Sequence, residues 1–86
     1  MILAVCDSDV HGKRFEDGKA VLDLSSEFYN GEEKNAEETA ALMEKAYAVN
    51  AVGKESVKIV INELGLAKKE AVKTIKGAPH VQVLML

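Results

Sequence analysis

Arginine, cysteine and proline each occur once in these 86 residues, as Arg14, Cys6 and Pro79, and tryptophan is absent. Each scarcity excludes something. One cysteine forms no internal disulfide, which fits a reducing, cytoplasmic setting. One arginine removes the side chain that supplies most bidentate contacts to phosphate and guanine, which argues against a strong duplex binder. Four aromatic residues, never interleaved with basic ones along a strand, argue against a base-stacking sheet. No apolar run approaches the roughly 20 residues that a membrane helix needs. No Gly-rich phosphate loop, paired cysteines or H-E-x-x-H occurs, so neither a cofactor nor a metal is expected.

What remains is a chain sized for one domain, residues 1–86, with 48% hydrophobic and 29% charged residues. Its net charge of −3 is unevenly spread. Residues 1–53 carry eleven acids and five bases; residues 54–86 carry six lysines and three glutamates.

"MILAVC" reads as a strand buried on both faces. Asp7, Ser8 and Asp9 then favour a turn. Asp17-Gly18 lies between extended segments at about Lys13–Glu16 and Lys19–Leu24, which predicts a tight hairpin. Ser25 and Gly31 bracket a short helical turn. "NAEETAALMEKAYAVNAVG" predicts one long helix, with Asn35 as N-cap, Glu38 completing a capping box, and Tyr47 and Val49 continuing its apolar rows. A second helix is expected at about Lys54–Leu64, where Val57, Val60, Ile61 and Leu64 repeat with helical spacing, ending at Gly65 with Leu66 folded back. A turn at Lys68–Glu70 and a short strand around Val72–Lys76 follow. In "HVQVLML", Val81, Val83 and Met85 alternate with His80, Gln82, Leu84 and Leu86. The second set starts polar and ends apolar, so the strand should be open near His80 and buried further on. Strands, two helices, then strands predict an α+β fold: a small, largely antiparallel sheet with two main helices covering one face.

"AVCD…HGKRFEDG", "SSEFYNG", "AYAVNAVGKESV" and "GAPHVQV", in that order, resemble the archaeal "domain of unknown function 424" family. The resemblance spans nearly the whole chain and implies a small cytoplasmic archaeal protein; it implies no reaction. The family pattern carries a further strand ahead of the Cys-Asp, so the resemblance implies either a sheet edge left open at "MILAVC" or a true start that lies upstream.

The candidate site residues are Cys6, Asp7, Lys13, Tyr29, Asn50, His80 and Gln82. Most have a structural alternative. Cys6 behaves as a small hydrophobe at a strand end, Asp7 caps a turn, Tyr29 belongs to the core, and Asn50 caps a helix. Pro79 restricts the backbone ahead of His80 and so positions its imidazole, which titrates near neutrality. If the first and last strands pair, His80 and Gln82 join Cys6-Asp7 in a polar pocket. Three functions fit. One is a binding module for RNA, a nucleotide or a protein partner, using the His80–Gln82 face. Another is an enzyme with Cys6 as nucleophile and His80 as base. The third is a homodimer closed along the open sheet edge.

Overall fold

The computed structural model describes residues 2–24 and 34–85. It is an α+β fold. A four-stranded sheet has the order β1-β4-β6-β5, and a separate hairpin pairs β2 with β3. The strands are β1 (Ile2–Cys6), β2 (Arg14–Asp17), β3 (Ala20–Asp23), β4 (Ala48–Val52), β5 (Lys73–Ile75) and β6 (Ala78–Leu84). Helix α1 spans Ala36–Lys45, and α2 spans Lys54–Lys58 and continues as a π-helical turn over Ile59–Glu63. Among the described residues, only the β1–β4 pair is parallel. Tyr29, and the short turn expected between Ser25 and Gly31, lie outside the described residues.

Both hairpins follow from their loop residues. Asp17 pairs with Ala20, so the loop is Gly18-Lys19. Gly18 has φ +62 and Lys19 stays in the ordinary region, the type II′ arrangement. Ile75 pairs with Ala78 around Lys76-Gly77, whose φ angles are +51 and +81, the type I′ arrangement. "KGAPHVQV" is therefore a two-residue turn plus most of a strand, with Pro79 inside β6 opposite Thr74.

Helix α1 begins as its sequence predicts. The Asn35 side chain accepts from the Glu38 N–H at 2.8 Å, and Glu38 Oε1 accepts from the Asn35 N–H at 3.1 Å. It ends earlier than expected. Ala46 is already extended, with ψ 153, and Ala48–Val52 forms a strand. The alanine-rich stretch has helical spacing, but Val49 and Ala51 also alternate. Burial of both between β1 and β6 wins over local propensity. Helix α2 ends near its expected boundary, with Gly65 at φ +60 and the Leu66 N–H on the Val60 carbonyl at 2.9 Å.

The main core joins Met43 and Ala46 with Val57, Ile59 and Val60, and sets them against Val49, Ala51, Val81 and Val83 of the sheet. Leu24, Val52, Ile75 and Ala78 are buried outside that cluster. Register puts Val52, Ile75 and Ala78 on the opposite sheet face, at the end where the β2–β3 hairpin packs on β5. Two expectations change here. Strand β1 is a half-buried edge strand, and β4 separates it from β6. The exposure of β6 also runs the other way. The His80 end is covered, while Leu84 is 69% exposed.

Candidate functional site

Cross-strand partners share a face, so the register arranges the non-helical side of the sheet in rows. One row is Cys6, Val52, His80 and Lys73. The next is Ala4, Asn50 and Gln82, and the last is Ile2, Ala48 and Leu84. Four of the candidate residues, Cys6, Asn50, His80 and Gln82, thus lie on one face. Asn50 and Gln82 are direct neighbours, with Asn50 half-buried and Gln82 exposed.

Cys6 and His80 share a row but do not meet. Val52 stands between them, and two strand spacings put their Cα atoms about 9.5 Å apart. Burial, then the charge of Asp7, pushes the Cys6 thiol up, which leaves less thiolate at neutral pH. Burial, then the charge of Lys73, pushes His80 down and favours the neutral imidazole. His80 Nδ1 is buried without a hydrogen-bond partner. A nucleophile and its base need hydrogen-bond reach, and this pair lacks it.

Asp7 is a cap, but of a helix far away in sequence. Its Oδ2 accepts from the Glu55 N–H at 2.9 Å. Its Oδ1 accepts from the Ser56 N–H at 2.8 Å and the Ser56 hydroxyl at 2.7 Å. The carboxylate thereby satisfies the free donors at the start of α2, where Gly53 has no side chain to do so. Lys13 is exposed at the foot of the hairpin, where its carbonyl accepts from the Leu24 N–H at 2.8 Å. Among the described residues, no three of His, Cys, Asp and Glu come together as a metal site requires.

Sequence reasoning missed the open row. Ile2 is 53% and Leu84 69% exposed, and Ala48 lies between them. The alternation in "HVQVLML" contained half of this signal; the β4 partners needed for the rest were hidden by the helical reading of "AYAVNAV".

Residues 1–86 match a protein family described as "Protein of unknown function (DUF424)". Among solved structures, the chain is similar to an uncharacterized conserved protein from Methanopyrus kandleri, with 29% sequence identity and a TM-score of 0.82. That match covers 99% of this chain and 81% of the other. No curated protein matches the chain. Among the described residues, no helix is long and apolar enough to cross a membrane.

Proposed function

We propose that this chain, which belongs to the DUF424 family, is a protein-binding module whose contact surface is the open part of the sheet face formed by β1, β4 and β6. One observation carries the reading: the row Ile2, Ala48 and Leu84 is apolar and exposed at both ends, and it adjoins the amide pair Asn50 and Gln82. An apolar strip beside uncharged hydrogen-bonding groups suits a protein surface. It does not suit a phosphate backbone, which is held mainly by cationic side chains. The lysine that register places on this face, Lys73, is exposed but lies two rows from this strip, beside His80. The separation of Cys6 from His80 weighs against the catalytic alternative.

The test is a photo-crosslinking amino acid at position 82, compared with one at Glu44 on the exposed side of α1. A specific adduct from position 82, lost in Leu84→Asp, supports the reading. An adduct between two copies of the chain would identify the partner as the protein itself. Equal labelling from both positions, or labelling at position 82 that survives Leu84→Asp, would remove its basis.

A further inference from the structure

We infer that a groove on the other side of the sheet, between α2 with its π turn and the segment entering β5, is a docking site for an acidic peptide with aliphatic anchors. Val57, Ile61, Val72 and Pro79 contribute its apolar lining. Lys54, Lys58 and Lys69 also line it, and all three are exposed. Among the described residues, no carboxylate lines this groove, and these lysines make no ion pair. Uncompensated cations around an apolar floor call for a ligand with carboxylates around an apolar side chain.

The spacing narrows the partner. Lys54 and Lys58 are four residues apart on a helix, so they stand about 6 Å apart along its axis. In an extended peptide, side chains two residues apart lie about 6.7 Å apart on one side, and the residue between them points the opposite way. A Glu-aliphatic-Glu sequence therefore sets both carboxylates against this lysine pair and turns its middle side chain across the groove, toward Val72. Single-stranded nucleic acid fits less well. It draws affinity from base stacking on aromatic rings, and among the described residues this groove has neither an aromatic side chain nor an arginine. The site is independent of the open sheet face: Pro79 and His80 are consecutive in β6 and point to opposite sides.

The experiment is an NMR titration of the full chain with three capped peptides whose cores are Glu-Leu-Glu-Leu-Glu, Glu-Ser-Glu-Ser-Glu and Lys-Leu-Lys-Leu-Lys, and with an oligouridylate. The Glu-Leu peptide should shift the amides of Lys58, Ile61 and Val72, and the Glu-Ser peptide should not. The double variant Lys54→Glu/Lys58→Glu replaces exposed residues. It should weaken the Glu-Leu peptide about tenfold or more and admit the Lys-Leu peptide instead. Absence of shifts, equal binding of the Glu-Ser peptide, or an unchanged affinity in the double variant would overturn the assignment. Tighter binding of the oligouridylate at the same amides would overturn it too.

Discussion

Replacing Asp7 by alanine should destabilise the protein by about 2 to 3 kcal/mol. The carboxylate accepts three hydrogen bonds, from the Glu55 N–H, the Ser56 N–H and the Ser56 hydroxyl, at 2.9, 2.8 and 2.7 Å. Loss of an ordinary N-cap costs about 0.5 to 2 kcal/mol. This cap also compensates Ser56, which is only 7% exposed, and leaving a buried donor unpaired adds about 1 to 3 kcal/mol. Asp7 is only half-buried, so water recovers part of the loss. The Asp7 N–H to the Val52 carbonyl, at 3.0 Å, is a backbone bond and survives the substitution. For a domain of this size, the net loss lowers Tm by about 10 to 20 °C. Asp7→Asn should fall between wild type and Asp7→Ala, because the amide nitrogen replaces one accepting oxygen with a donor. Ser56→Ala removes one bond and should cost about 1 kcal/mol. Urea unfolding of the four proteins, followed by circular dichroism, measures the order. An Asp7→Ala variant within 0.5 kcal/mol of wild type would refute the cap as an energetic element.

Gly18→Val should cost about 1 kcal/mol or more, because a β-branched residue resists the observed φ of +62; an unchanged urea midpoint would contradict the hairpin. Lys76 has φ +51, so Lys76→Gly should be neutral to stabilising, by up to about 1 kcal/mol, in the same assay. His80 is held below its ordinary value by burial and then by Lys73, so folding favours its neutral form. The unfolded chain takes up that proton near pH 6.5, ahead of the folded one, and stability is lost as pH falls below that point. His80→Leu should flatten the decline between about pH 7 and 5.5; a decline of the same slope would show that other groups cause it.

Local chemistry accounts for what was legible in the chain. Asn35 and Glu38 are three residues apart and cap each other, so α1 starts where their types predict. Asp17-Gly18 and the alternation of Val81 and Val83 needed no distant partner. The errors all concern long-range choices. "AYAVNAV" satisfies both a helical and an alternating pattern, and placement between β1 and β6 decides for the strand. That one misreading moved Asn50 from the middle of the sheet to a helix cap and removed β4 from between Cys6 and His80. The polar start of the β6 face suggested an opening at His80. Instead the hairpin end is the covered one, with Leu24, Val52, Ile75 and Ala78 buried there. Of the candidate residues, His80 and Gln82 were legible as sharing a strand face; that Cys6 and Asn50 lie on it too follows from the β4 pairings.

Three of the family-like motifs converge at one junction, and two of them also reach the proposed groove, through Lys54 and Pro79. The Asp7 N–H donates to the Val52 carbonyl at 3.0 Å, and the Gly53 N–H donates to the Pro79 carbonyl at 2.8 Å. The carboxylate of Asp7 closes on Glu55 and Ser56. Cys-Asp, Val-Gly-Lys-Glu-Ser and Gly-Ala-Pro-His thus tie the ends of β1, β4 and β6 to the start of α2. Gly53 is the tightest point. Its φ is +103, and a Cβ there would overlap the Asp7 carboxyl, coming 2.5 Å from Oδ2 and 2.7 Å from the Asp7 Cβ. Backbone strain of about 1 to 2 kcal/mol and overpacking of about 1 to 3 kcal/mol both oppose a side chain. Gly53→Ala should therefore destabilise the protein by about 2 to 4 kcal/mol. Leu84→Asp and Lys58→Glu replace exposed side chains and should stay within about 0.5 kcal/mol of wild type. Urea unfolding of the three variants, alongside the crosslinking and peptide assays, separates motifs that hold the fold from surfaces that meet a partner. A Gly53→Ala protein as stable as wild type, or a Leu84→Asp protein as damaged as Gly53→Ala is expected to be, would overturn that division.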